Sequence, residues 1–238
     1  MRKRNSAGAV GRRRLLGLAA AGLAGSLAAG PARALCGLYP PQSALEFRIE
    51  GAAGPRGWHR IAFLREGGGL LVLSEQERLG PQGRRLRQRV QETWEDGWLV
   101  GLAADTWRDG ARRSLRAERL AALPERGEAA SAHGGSLAGQ AGRLRFNVAG
   151  YVIPTTFWHR DTPYAEALLS VVDGLVKLVR SSPLAAADLR LDDGRLARRG
   201  WELRGEWPCR LWYDESCGLV QAAQPDEAGG TLLFRRQG

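Results

Sequence analysis

The chain has 238 residues, 44% of them hydrophobic, and carries 35 basic against 25 acidic side chains for a formal net charge of +10. Seven of the basic residues (Arg2, Lys3, Arg4, Arg12, Arg13, Arg14 and Arg33) precede residue 35 with no acid among them, which leaves 28 basic against 25 acidic groups, or +3. That near-balance, with no basic run interleaved with aromatics, argues against a nucleic-acid partner, and three scattered histidines and three scattered cysteines lacking C-x-x-C or H-x-x-x-H spacing argue against a metal site.

The first segment reads as an export address. Arg12-Arg13-Arg14 precede an apolar run from Leu15 to Ala29, and Pro31-Ala32-Arg33-Ala34 places alanine at the −3 and −1 positions of a cut after Ala34. A basic region, an apolar region and an A-x-A site are the layout of a bacterial secretory signal. The arginine pair followed by x-Leu-Leu resembles the twin-arginine variant, whose substrates fold before crossing the membrane. The apolar run is shorter than the ~20 residues of a membrane span, and Leu35 before Cys36 does not suit lipidation. The expectation is a cleavable signal over residues 1–34 and a single all-β domain over 35–238, delivered by export machinery to the periplasm or outside, with no stable membrane span after cleavage.

Beyond the signal, alternation with period two dominates. Leu45, Phe47 and Ile49 interleave with Glu46, Arg48 and Glu50; Leu86, Val90 and Trp94 share one face, with Arg87, Arg89, Gln91 and Thr93 on the other; Leu144, Phe146 and Val148 alternate with Arg143, Arg145 and Asn147. Such runs are half-buried antiparallel strands. Asp-Gly occurs at 96–97, 109–110, 173–174 and 193–194, each between apolar-bearing segments. Both central residues of a type I′ turn need positive φ, so these pairs mark hairpins. Gly67-Gly68-Gly69 and Asp214 to Gly218 read as looser turns. About a dozen runs at this rhythm imply a strongly curved antiparallel sheet or barrel, with a two-sheet sandwich as the alternative. Leu115 to Leu123 fits a strand better than a helix, and Pro124 to Gly142 reads as a loop with at most one short strand. Thr162-Pro163 before Tyr164 to Leu169 predicts one short helix, with proline at its first position.

Cys209 and Cys217 flank a hairpin turn. At ~3.3 Å per residue they stand about 13 Å apart along the strand, beyond the ~7 Å Cα limit for bridging. A bridge from Cys36 to either remains open.

Three motifs stand out: Trp94-Glu95-Asp96-Gly97-Trp98-Leu99, Pro154-Thr155-Thr156-Phe157-Trp158, and Leu211-Trp212-Tyr213-Asp214-Glu215-Ser216-Cys217-Gly218-Leu219. With them the chain resembles, from its first strand to its end, a family of exported bacterial β-proteins catalogued as a domain of unknown function. It departs from that pattern at His159, where asparagine is usual, and at Cys217, which lengthens the final turn. The resemblance implies fold and compartment and no activity. By analogy, some exported carriers of lipids and lipoproteins wrap a similar sheet around a hydrophobic groove.

Chemistry-bearing side chains concentrate in Thr155, Thr156, Trp158, His159, Asp161 and Tyr164, after a strand end where loops often carry function. Hydroxyl, imidazole and carboxylate together suit general-base or nucleophilic chemistry, but no G-x-S-x-G or S-x-x-K motif accompanies them. The structural alternative has the threonines bonding backbone, Trp158 filling core and His159 facing solvent. Among eight tryptophans, Trp94 and Trp98 flank a turn as a candidate cross-strand pair, and Trp201, Trp207 and Trp212 lie on successive strands that would converge inside a barrel. No paired catalytic carboxylates or phosphate loop can be picked out, and no cofactor is implied. The leading expectation is a non-enzymatic binder of an apolar or amphipathic, lipid-like envelope molecule in the concave face, with Thr155, Thr156, Trp158, His159, Tyr164, Trp201 and Trp212 as ligand-binding candidates. The alternatives are a hydrolase using Thr155 to His159 and a scaffold module without a cavity.

Overall fold

The computed structural model describes residues 39–120, 135–185, 189–190, 196–197 and 199–237. The proposed signal, Cys36, residues 124–134 and the turn at Asp193-Gly194 lie outside the described residues. Eight strands lead off: β1 (Ala44–Gly51), β2 (Gly54–Glu66), β3 (Gly69–Leu79), β4 (Arg85–Glu95), β5 (Trp98–Arg108), β6 (Ala111–Leu120), β7 (Ser136–Ala141) and β8 (Leu144–Ala149). After a long connection come β9 (Ala167–Leu169), β10 (Val176–Pro183), β11 (Leu189–Arg190), β12 (Leu196–Ala197), β13 (Arg199–Gly205), β14 (Cys209–Tyr213), β15 (Leu219–Pro225) and β16 (Thr231–Arg236). β11 and β12 pair only with each other; the rest form one antiparallel sheet of 14 strands, ordered β8-β7-β6-β5-β4-β3-β2-β1-β16-β15-β14-β13-β10-β9. The sandwich alternative is thereby set aside. The sheet curls without closing its ladder, and β8 and β9 are its two edges.

Sequence alternation produces this architecture directly. Leu45, Phe47 and Ile49 are buried, as are Leu86, Val90 and Trp94, while Glu46, Arg48, Arg89 and Gln91 face away from the core. Each fully buried Leu, Ile or Phe contributes about 1.5–3 kcal/mol relative to exposure, so a one-residue slip of any strand would turn that set to water. Asp96-Gly97 (φ 48° and 81°) and Asp109-Gly110 (φ 51° and 84°) adopt the expected turns with both residues at positive φ. At Asp173-Gly174 only the glycine has positive φ, because the turn is a longer loop: Ser170 N–H donates to the Leu175 carbonyl at 2.9 Å and Gly174 N–H to the Ser170 carbonyl at 3.0 Å.

The proposed cross-strand pair of Trp94 and Trp98 does not form. A bulge between Thr93 and Trp94 sets Trp94 opposite Leu99 and Trp98 opposite Glu95, so the two indoles take opposite faces. Trp98 instead packs edge-on to Tyr151 at 5.4 Å and lies 4.9 Å from the Arg119 guanidinium.

The connection between β8 and β9 folds into the concave side. Val152, Ile153, Phe157, Trp158, Leu168, Leu169 and Val171 join one core with Phe47, Ile61, Phe63, Val72 and Trp94. A parallel bridge between Pro154 and Leu169 fixes it, with Thr155 N–H donating to Leu169 O at 3.0 Å and Leu169 N–H to Ile153 O at 2.9 Å. The expected helix shrinks to a single 3-10 turn, Thr162–Tyr164. Ala165 already has extended dihedrals, and β9 pairs with β10 so that Leu168 and Leu169 are buried. Tertiary burial overrides helix propensity here. The two edges then approach each other through side chains. The Phe146 ring of β8 lies over Gly139 and over Gly174 of the 170–175 turn, so that a Cβ at Gly174 would sit 2.8 Å from it. At the far end of β5, Arg108 reaches Glu227 of the β15–β16 turn at 2.8 Å.

Candidate functional site

A buried carboxyl lies where the concave wall meets the inserted connection. Glu92 of β4 is fully buried. Its Oε2 accepts the Trp94 indole N–H at 2.9 Å, and both oxygens accept the Trp158 indole N–H at 3.1 Å. Thr156 lies beside the same carboxyl, although its Oγ1 forms no hydrogen bond of ordinary geometry. Burial pushes the Glu92 carboxyl up to about 7, against the pull of these polar neighbours. Because Trp94 belongs to the wall and Trp158 to the connection, Glu92 ties the two together.

His159 stacks on Trp94 (4.6 Å between ring centres, 18° between planes) and meets Trp158 edge-on at 5.0 Å. It is buried rather than facing solvent, and burial drives the imidazole down to about 4, so it is neutral at pH 7. Its Nδ1 accepts the Asp161 backbone N–H at 3.2 Å. The proton therefore sits on Nε2, 3.4 Å from the Tyr151 hydroxyl, which itself donates to Asp161 Oδ2 at 3.1 Å. With the Nδ1 lone pair engaged and Nε2 protonated, this imidazole has no free lone pair to act as a base. Thr155 Oγ1 accepts the Val171 N–H at 3.2 Å, and Thr156 Oγ1 bonds nothing. Neither threonine hydroxyl bonds His159, so the nucleophile–base contact that the hydrolase alternative needs is not assembled.

The chain turns sharply between these groups. Phe157 has φ 68°, a conformation costing a bulky residue about 1–3 kcal/mol. It is held by stacking on Trp207 at 4.9 Å, by Phe234 at 5.4 Å, and by the Tyr213 hydroxyl donating to the Phe157 carbonyl at 3.3 Å. That strain aims Trp158 at Glu92.

The remaining expected ligand residues lie elsewhere. Trp201 pairs in register with Leu211 and packs against the main core, whereas Trp212 pairs with Gly200 and packs on the opposite face against Ala197 and Val220. Trp201 and Trp212 therefore diverge, and the expected convergence of the three C-terminal tryptophans does not occur. Tyr164 stands exposed, edge-on to Trp201 at 5.1 Å. These two line an open groove of about 1120 Å³ at the margin of the concave face. Pro163, Tyr164 and Ala165 form one wall; Val179, Ser181, Trp201 and Gly205 of β10 and β13 form the floor. Leu178, 62% exposed, borders it, and Glu166, Arg180, Arg204 and Glu206 line it as well.

Sequence reasoning missed Glu92. The period-two pattern that put Leu86, Val90 and Trp94 inward also puts Gln88 and Glu92 inward, and a carboxylate at such a position is the available signal. Cys217 is disulfide-bonded and Cys209 is a free, buried thiol, consistent with a separation along the hairpin that rules out a bond between the two. Among the described residues there is no cluster of metal-ligating side chains, and no helix is long and apolar enough to cross a membrane.

No curated protein matches the chain. Among solved structures it is similar to the crystal structure of a β-barrel-like protein of the domain of unknown function DUF1849 from Brucella abortus, with a TM-score of 0.52 at 8% identity, covering 82% of this chain and 95% of that one. That likeness is one of fold. The model of another domain of unknown function, DUF6134, matches residues 47–237, from β1 to the end of β16, and the chain belongs to that family.

Proposed function

We propose that this protein is an exported, non-enzymatic binder of an amphipathic envelope molecule, held at the open margin of the concave face. The groove beside Tyr164 and Trp201 carries this reading. Its volume of about 1120 Å³ is ample for a small molecule, since ligand sites commonly span ~300–1000 Å³. An aromatic pair and exposed Leu178 supply apolar contact next to charged side chains, the mixed lining an amphiphile needs. The centre of the concave face is filled by the 150–166 connection, so Thr155, Thr156, Trp158 and His159 act as the support behind the groove. Tyr164 and Trp201 are the contact residues. The arginine-led segment before residue 35 supports export.

The test is titration of the purified protein with a dansylated long-chain fatty acid, read by energy transfer from tryptophan. Micromolar binding that Trp201→Ala and Tyr164→Ala each weaken by roughly tenfold, about 1.4 kcal/mol, is the expected result. No binding, or binding indifferent to both substitutions, would overturn the reading. Export is checked separately by fusing residues 1–34 to a reporter and locating it; retention inside the cell would remove the compartment.

A further inference from the structure

Resting on that reading of the groove, we infer that its ligand is an acyl amide, an acyl chain with a small uncharged amide head that pairs with the backbone of Ser181 on an open stretch of the β10 edge. Successive residues of a strand send their backbone groups to alternate sides. In β10 the even-numbered residues serve β13: Leu178 O accepts the Glu206 N–H at 3.0 Å, and just past the strand Leu184 N–H donates to Gly200 O at 2.9 Å. The odd-numbered residues serve the other side. There Leu175 O accepts the Ser170 N–H and Val179 N–H donates to Glu166 O, each at 2.9 Å. β9 itself covers only Val176 to Leu178. Ser181 is the next odd residue, and continuing the register from Val179 and Glu166 would set it opposite Tyr164.

By that point the chain has left the sheet. Tyr164 N–H donates to Asp161 O at 2.9 Å and Ala165 N–H to Thr162 O at 3.3 Å, both within the 3-10 turn. Among the described residues no strand meets the Ser181 N–H and C=O on this side, and its Oγ is enclosed without a hydrogen-bond partner. Ser181 lines the groove with Tyr164 and Trp201. Two residues on, Pro183 holds the same side of β10, where a strand tolerates proline because no ladder bond is lost. Pro183 also limits what can pair. Beyond Val179, Ser181 carries the one N–H that β10 turns this way, enough for a single amide and too little for an added strand, which draws its affinity from a run of main-chain bonds. The charged residues bordering the groove, Glu166 and Glu206 against Arg180 and Arg204, balance, which suits an uncharged head. An unmet N–H and C=O beside an aromatic wall complement an amide at the end of an acyl chain, and the new bonds displace no protein partner.

The experiment uses N-methyldodecanamide and N,N-dimethyldodecanamide, which lacks the N–H, as competitors of the dansylated probe on the wild type and on Ser181→Pro. The expected result is that the N–H amide binds the wild type about fivefold tighter than its dimethyl counterpart. Ser181→Pro deletes a donor that no ladder uses, so it should weaken both amides about fivefold while keeping the wild-type Tm. Independently of that variant, hydrogen exchange at the Ser181 amide should slow roughly tenfold or more when N-methyldodecanamide binds the wild type. Equal affinity of the two amides for the wild type would overturn the amide head and leave the groove standing. Unchanged affinity in a folded Ser181→Pro, or a Ser181 amide that exchanges no slower in the complex, would overturn the assignment to this edge. Displacement of the probe by millimolar N-methylacetamide would make the site a simple amide site and overturn the acyl chain. Tighter binding of the unacylated peptide acetyl-(Val-Thr)3-amide would make it a strand-addition site and overturn the single amide. Failure of the dansylated fatty acid itself to bind would instead remove the groove reading on which the inference rests.

Discussion

Replacing Glu92 by glutamine isolates the energetics of the buried carboxyl. The carboxyl is raised from an ordinary value of 4.5 to about 7 by burial, so the folded state holds its proton more tightly than the unfolded chain does. With the sign worked through, the contribution of this group to stability is fully present below pH ~4.5 and is lost as pH rises through about 7. At ~1.4 kcal/mol per tenfold change in proton affinity, the loss amounts to about 3 kcal/mol. Glutamine escapes it. Its carbonyl can stand where Oε2 accepts both indole N–H groups, and its amide can donate toward the unbonded Thr156 Oγ1. Urea unfolding followed by tryptophan fluorescence at pH 5, 6, 7 and 8 reads the difference. Glu92→Gln is expected to gain on the wild type by about 2.5 kcal/mol between pH 5 and pH 8, because the first part of the loss falls below pH 5. Glu92→Ala is expected to be destabilised at every pH, because two buried indole donors lose their acceptor at about 1–3 kcal/mol each. A pH-independent difference between glutamine and wild type, or a glutamine variant less stable by more than ~2 kcal/mol at pH 8, would refute this account and mean that Glu92 is ionised in the fold.

Other consequences are equally direct. His59, buried between Phe47 and Phe234 and bonded to Ser74 Oγ at 2.8 Å, is driven down to about 4 by burial, as His159 is. Both therefore contribute stability that is complete above pH ~6.5 and lost as pH falls through about 4, so the acid limb of a Tm–pH curve should flatten in His59→Gln. Gly174→Ala should cost more than Gly229→Ala in chemical denaturation, by about 1–3 kcal/mol. Both glycines have positive φ (72° and 81°), but only Gly174 has the Phe146 ring 2.8 Å from the added Cβ; equal costs would deny that the sheet edges meet there. The Cys209 thiol, 5% exposed and pushed up to about 12 by burial, should resist iodoacetamide at pH 8 until the protein unfolds, with modification monitored by mass.

The hairpins and the inward faces were legible because turn chemistry and alternation are local. Asp96-Gly97 and Asp109-Gly110 needed nothing beyond their own dihedral preferences. The faces of Trp98 and Trp212 were not legible, since a single bulged residue at Thr93/Trp94 and the register of β13 on β14 decide them, and both are tertiary facts. The segment from Thr155 to Tyr164 drew notice for its chemistry, yet its role was set by what it fills: Trp158 and His159 found Glu92 and Trp94, sixty-odd residues earlier in the chain. Helix propensity after Pro163 misled for the same reason, because an unpaired β10 edge and two buried leucines outweighed it.

The pairing of β1 with β16 has a kinetic consequence. Phe47 lies in register with Arg236, nearly 190 residues away, whereas most of the other ladders join neighbours in sequence. Closing so long a loop from an unstructured chain carries about 4–5 kcal/mol of entropy, but hairpins formed beforehand shorten the effective path. Two meanders can therefore assemble independently, one through β8 and one ending in β16, and join at a single seam late in folding. Until β16 arrives, β1 presents an open edge, the position where a second chain could pair by mistake. The seam is where refolding yield, rather than native stability, should be most sensitive to substitution.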